Sequence, residues 1–164
     1  MVVFDSSTLI LLAKTDLLDE VLKLYQVIIS EKVQEEATKK KELFDAKLIS
    51  ARVESGAIKV ESISSQGLAM KIKKDFNLGD GEVESIILVK EGKGTLLATD
   101  DGPTIKACRI LGIGTVSAPV FLVQVYRNGG LTKEVAMEKL AKLERYGRYN
   151  PRIIHDIRSR IGGE

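Results

Sequence analysis

The apolar positions of this chain fall into two alternating kinds of segment. Short β-branched runs occur at Val2 to Asp5, Val27 to Ser30, Ile58 to Glu61, Thr95 to Thr99 and Gly114 to Ser117. Each reads as a strand, because so short a run bounded by turn formers is too brief for a helix. Between them the apolar residues recur every three or four positions, which predicts helices. Ser7 or Thr8 is placed to cap a helix running to Lys14, and a second covers Leu17 to Tyr25. Glu31 to Lys41 is a mostly polar helix and Glu42 to Glu54 a more amphipathic one. Gln66 to Phe76 follows, then Asp80 to Glu91, with Asp80 as N-cap and Val83, Ile86, Ile87 and Val89 on the apolar side. Pro103 stands where a helix N-terminus favours it and opens Thr104 to Leu111. Ala118 to Arg127 and Thr132 to Glu144 are the last predicted helices, and a basic tail from Arg145 to Glu164 closes the chain.

Strands alternating with helices predict a three-layer α/β/α sandwich around a central, mostly parallel sheet of four or five strands. No repeat, low-complexity tract or linker divides the chain, so residues 1–164 are expected to form one domain, with a core over about 1–125 and C-terminal helices and tail over about 126–164. The 44% hydrophobic and 29% charged fractions exclude a disordered or collagen-like chain. A single cysteine, Cys108, excludes a disulfide framework and a four-cysteine zinc site, and points to the cytoplasm. The N-terminus lacks a basic leader, and no apolar run approaches the ~20 residues that span a bilayer, so neither a signal peptide nor a membrane anchor is expected. A net charge of +2 is too small to steer a polyanion; any nucleic-acid contact must come from a local patch.

Ligands of open parallel sheets bind outside the carboxyl ends of the strands. Those ends are acidic here. Asp5 closes the first strand, Asp100 and Asp101 close the strand LLAT, and Asp80 and Glu82 open the helix that feeds it. Two carboxylates about 5 Å apart repel by roughly 3 kcal/mol at an effective dielectric of 20, so convergence of these acids needs a compensating cation. Oxygen donors favour Mg²⁺ or Mn²⁺, and the absence of a His or Cys cluster argues against zinc. Such a site suits hydrolysis of phosphodiesters.

The opening VVFDSSTLI, the segment ISEKVQEEA, the run LGDGEVESIILVKEG and the turn LLATDDGP, in that order and spacing, resemble the PIN-domain ribonucleases over about residues 1–125. Within them the chain is most similar to small prokaryotic proteins with a GE-x-E motif, relatives of the VapC toxins. The resemblance implies a metal-dependent endoribonuclease whose four acids fall on Asp5, Glu36, Glu82 and Asp101. Asp80, Glu84 and Asp100 are additional acids able to assist, and Thr99 matches a hydroxyl residue often found before the fourth acid. Glu rather than Asp stands at the third position and lengthens that ligand by one methylene. The resemblance also implies RNA as substrate, single-stranded by expectation, together with a homodimer and, for toxin-type members, a small antitoxin protein. The alternative is a PIN-fold module that binds RNA or protein and cleaves nothing.

Bland readings exist for each acid: a cap at Asp5 or Asp80, the helix dipole at Glu82, a turn at Asp100 and Asp101, and a solvated face at Glu36. Capping alone, however, gives no reason for all three regions to meet at one sheet edge. Other chemistries fit less well. His155 is the only histidine, Gly92-Lys93-Gly94-Thr95 lacks the spacing of a phosphate loop, and a haloacid-dehalogenase phosphatase wants a second Asp where Ser7 stands. A receiver domain expects paired acids near the first strand, and Asp5 is alone there. The tail carries five of the eight arginines with Tyr146 and Tyr149 interleaved, a composition suited to phosphates and unstacked bases as well as to a solvated helix or a dimer arm.

Overall fold

In a computed structural model, which describes residues 1–163, five strands form one parallel sheet in the order β3-β2-β1-β4-β5. The strands are β1 (Val2–Phe4), β2 (Val27–Ser30), β3 (Ile58–Glu61), β4 (Leu96–Ala98) and β5 (Thr115–Val116). The first three run outward in one direction from β1 and the last two in the other, so the strand order reverses between β1 and β4. That reversal opens a crevice at the carboxyl ends of these two strands.

Both faces of the sheet are covered, which is why its central strands read as apolar runs rather than as alternating ones. Val2, Phe4, Val27, Ile29, Ile58 and Ala98 face one core, and Val3, Ile28 and Leu97 face the other. On the first face pack α1 (Ser6–Lys14), α2 (Leu18–Leu24), α3 (Glu31–Thr38) and α4 (Phe44–Glu54), followed by α8 (Ala118–Arg127), α9 (Lys133–Tyr146) and α10 (Pro151–Gly162). On the second pack α5 (Gln66–Phe76), α6 (Asp80–Lys90) and α7 (Gly102–Leu111). The expected three-layer α/β/α sandwich is the architecture found.

Three local expectations are corrected. The cap of α1 is Asp5, whose side chain accepts from the Thr8 amide, rather than Ser7 or Thr8. The cap of α6 is Gly79, and Asp80 is the first helical residue. The basic tail, read as phosphate-binding or as a solvated helix or dimer arm, holds a helix that is not simply solvated: α10 buries Ile154, Ile157 and Ile161 in the same core as Phe4 and Phe121. Isoleucines at these spacings form one apolar stripe, each worth about 2 kcal/mol of burial, so the arginines occupy only the outer face. No helix among the described residues is long and apolar enough to cross a membrane.

Candidate active site

Register places the acidic rim. Phe4 pairs with Ala98, and Val3 with Ile28, so Asp5 stands level with Thr99 and Ser30 one residue beyond the paired strands. Its amide donates to the Ala98 carbonyl at 3.0 Å, which holds the turn after β1 against β4. One carboxylate oxygen of Asp5, Oδ1, accepts from the Thr8 amide at 3.0 Å and the Ser7 hydroxyl at 2.7 Å. The other, Oδ2, is buried and has no hydrogen-bond partner. The residue is 1% exposed. Burial pushes its carboxyl up to about 6; the Thr99 hydroxyl, the Thr8 amide and Ser7 oppose the shift, and the charge of Asp100 adds to it. The Thr99 hydroxyl acts from nearby without meeting hydrogen-bond geometry at Oδ2.

Asp100 is buried in a different way. Its oxygens accept from the Thr8 hydroxyl (2.6 Å), the Ala118 amide (3.1 Å) and the Tyr149 hydroxyl (2.7 Å), while its own amide donates to Ser7. It therefore ties β4 to α1, to the start of α8 and to the segment before α10. Burial raises its carboxyl, against those three donors, and burial together with Asp100 pushes the Tyr149 phenol upward.

Asp101 caps α7, accepting from the amide and hydroxyl of Thr104 at 2.9 and 2.6 Å; both bonds fall on Oδ2. Its own amide donates to the Thr99 hydroxyl. Glu82, in the first turn of α6, folds back toward the Gly79 and Glu82 amides in the manner of a capping box with glycine at the cap. Burial and then the charge of Glu36 raise the Glu82 carboxyl, with Asp101 adding a smaller push. Glu36, from the second turn of α3, accepts from the Ser6 hydroxyl at 2.8 Å and the Gly81 amide at 3.2 Å. Strand ends β1 and β4 and helices α3 and α6 thus place the four acids at the carboxyl edge of the sheet; Glu36 and Asp101 lie close enough to Glu82 for their charges to raise it, whereas the charge that reaches Asp5 is that of Asp100.

Two glycines permit this approach. A Cβ on Gly81 would lie 2.5 Å from Glu36 Oε2, and one on Gly79 would lie 2.5 Å from Glu82 Oε2. Sequence reasoning missed both glycines, as well as Ser6 and the strut role of Tyr149. The signal for the glycines was the alternation G-D-G-E itself, with the smallest residues interleaved between acids at a helix start.

The remaining acids are engaged elsewhere. Asp80 points outward to an ion pair with Lys73 at 2.6 Å, which lowers its carboxyl. Glu84 accepts from the Lys32 amide at the start of α3 and serves the packing of α6 against it. With the geometry laid out, comparison with known proteins is decisive for the family: the family model described as a PIN domain matches residues 1–162. The chain belongs to the PIN-domain family. No curated protein sequence matches it. PIN domains are generally nucleases and typically use divalent metals, so this fold is of nuclease type and suited to nucleic acid. The matched span takes in α9 and α10, beyond the 1–125 over which the sequence motifs lie.

Does the rim of this PIN domain suit a divalent cation? Among the described residues no group of three or more Asp, Glu, His or Cys side chains is gathered closely enough to hold a metal ion. Each outer acid instead leans on an amide or hydroxyl of the chain. The donor set is nevertheless all oxygen, the choice of a hard cation. Asp5 Oδ2, buried without a donor, is costly on its own, since a buried carboxylate oxygen is ordinarily hydrogen-bonded or bound to metal. Asp5, Glu36, Glu82 and Asp101 carry the donor chemistry that such an ion takes. Asp100 and Asp80 are otherwise engaged, the first because protein donors occupy both its oxygens and the second because it is paired with Lys73. Cys108 lies below Asp5 with its thiol pushed up to about 11 by burial and by that carboxylate, an inert core residue.

Proposed function

We propose that the chain is a Mg²⁺- or Mn²⁺-dependent endoribonuclease acting on single-stranded RNA, with Asp5, Glu36, Glu82 and Asp101 holding the metal. The single observation that carries this reading is the buried, donorless oxygen of Asp5 at the reversal point of the sheet. A divalent ion held there supplies Lewis-acid stabilisation of charge on a phosphoryl group and makes water a competent nucleophile at neutral pH. The chain's own residues do the positioning. The Thr8 amide and Ser7 hydroxyl fix one Asp5 oxygen and leave the other, buried, without a hydrogen-bond donor. Thr104 fixes one oxygen of Asp101 and leaves its second to the rim. Ser6 and the Gly81 amide orient Glu36, and Asp100 locks the β4 turn on which Asp101 sits.

The test incubates single-stranded RNA with the protein in Mn²⁺, in chelator, and with Asp5→Asn. Cleavage in the first condition alone, leaving 5′-phosphate and 3′-hydroxyl ends, is the expected result; equal cleavage in all three overturns the proposal. A binding module without catalysis is the second reading, favoured by the acids that rest on their own backbone instead of on one another. Calorimetry showing no Mn²⁺ uptake would decide for it. The same proposal carries a homodimer and a small antitoxin partner, checked by light scattering of the pure chain and by co-purification with the product of an adjacent small reading frame.

A further inference from the structure

A cleft of about 340 Å³ opens beside the acidic rim, between α1 and the loop that joins α9 to α10. Ser7, Asp100 and Asp101 form its inner end, Ile10 and Leu11 its floor, and the 146–149 segment its outer wall. That wall is a built structure. The Tyr149 hydroxyl ties it to Asp100 at 2.7 Å, and Gly147 allows the Tyr149 ring to fold against it: a Cβ there would lie 2.2 Å from the ring and 2.9 Å from the Leu143 carbonyl. Tyr146 projects from the wall, 50% exposed, with Lys14 Nζ and Arg145 Cζ each 5.9 Å from its ring centroid.

On the α3–α6 side Lys32 is paired with Glu35 and Lys73 with Asp80, while Lys39, Lys40 and Lys41 after α3 make no ion pair among the described residues. On the cleft side Lys14, Arg145 and Arg148 make no ion pair among the described residues. An edge rich in carboxylates repels a polyanion, so a phosphate chain needs unpaired cations beside it, and those of the cleft are the ones that flank an exposed ring. An exposed ring flanked by cations suits one unstacked base and its phosphate, and single strands alone offer bases in that form.

Building on the nuclease reading, we propose that this cleft is a nucleotide subsite for single-stranded RNA: Tyr146 stacks on a base next to the cleaved bond, and Arg148, helped by Lys14 and Arg145, takes the adjoining phosphate. The cations now over Tyr146 are long, exposed side chains that move to the phosphate as the base takes the ring. Tyr149 is the positioning residue that sets the wall's distance from Asp101.

The experiment measures fluorescence anisotropy of a labelled short single-stranded RNA with the full chain, in EDTA and, separately, in Mn²⁺ on an Asp5→Asn background. Tyr146→Ala is expected to weaken binding about fivefold or more, the low end of losing one stacked base, and Tyr146→Phe to retain it. Arg148→Ala is expected to weaken binding and to reduce the slope of log affinity against log salt by about 0.7, one phosphate's worth. Affinities of both alanine variants within about twofold of the parent at unchanged salt slope overturn the subsite, as does a parent that binds no RNA in either condition. Failure of the nuclease reading looks different: the parent binds RNA, loses affinity with these substitutions, and cleaves nothing in Mn²⁺.

Discussion

Asp5 and Asp100 end adjacent strands of one sheet, and burial raises the carboxyl of each, yet their surroundings are opposite. Asp100 has three protein donors and joins four parts of the chain. Asp5 has donors on one oxygen, while the other meets none in hydrogen-bond geometry, with the Thr99 hydroxyl nearby. Burial and a shifted carboxyl are thus shared by a structural joint and by a ligand candidate; the unfilled acceptor separates them. Glu91 Oε2 is a second buried oxygen without a hydrogen-bond donor, but Lys93 stands 3.8 Å from it; Asp5 Oδ2 has no such cation and lies where the strand order reverses, an open valence that costs stability until a ligand arrives.

Substituting each in turn tests the contrast most strongly. Asp100→Ala leaves the Thr8 and Tyr149 hydroxyls and the Ala118 amide without their acceptor, and is expected to cost about 3 kcal/mol of unfolding free energy in urea titration. Asp5→Asn keeps the cap on Thr8, since Asn caps as well as Asp, and is expected to lower Mn²⁺-dependent RNA cleavage by at least about a hundredfold without loss of stability. If the two variants exchange phenotypes, the contrast is wrong.

The pH dependence sharpens the same point. With its folded carboxyl near 6 and an ordinary value of 3.8, Asp5 holds a proton in the folded chain that the unfolded chain has already released. Its contribution to stability therefore falls as pH rises from about 4 to about 6 and is level above that window, a loss of up to about 3 kcal/mol. Asp5→Asn should flatten that part of the curve, and at pH 7.5 should unfold at higher urea than the parent. A parent curve with no decline between pH 4 and 6 would remove the open valence from the account.

Smaller effects test the outer acids and the wall of the cleft. Gly81→Ala puts a methyl 2.5 Å from Glu36 Oε2, which must then leave the Gly81 amide. Helix propensity alone favours the alanine by up to about 1 kcal/mol, so unchanged or higher stability with Mn²⁺ affinity down about tenfold by calorimetry is expected. Tyr149→Phe deletes one hydrogen bond to Asp100 and is expected to cost about 1 kcal/mol in the same urea titration.

The layers of the fold were legible because buried parallel strands and amphipathic helices leave different periods in the sequence. β2, β3, α5 and α8 begin and end where the apolar pattern does. Errors gathered at caps. In D-S-S-T every residue is able to cap, and the choice of Asp5 follows from its extended backbone (φ −83°, ψ 172°) at the end of β1, which pattern alone does not reveal. At G-D-G-E the glycine takes the cap because Glu82 folds over it. The stripe Ile154, Ile157, Ile161 was present in the sequence but masked by the arginines between its members.

The candidate site was legible as a set of acids at strand ends and not as a division of labour among them. Asp100 and Asp101 are neighbours of identical type, and only three-dimensional partners tell them apart. Asp100 meets Thr8, Ala118 and Tyr149, residues far from it along the chain, while Asp101 meets Thr104 in its own helix. Glu36 emerged from the family motif rather than from its surroundings in sequence, since its partners Ser6 and Gly81 lie 30 and 45 residues away.

The most direct test of the metal assignment is a crystal of the full chain soaked in Mn²⁺ and measured at a wavelength where manganese scatters anomalously. The account predicts an anomalous peak touching the free oxygen of Asp5 and shared with Asp101, with Glu36 or Glu82 turned off its backbone amide toward it. A peak bound instead by Asp80 or Asp100, or none at the end of β1, would contradict it.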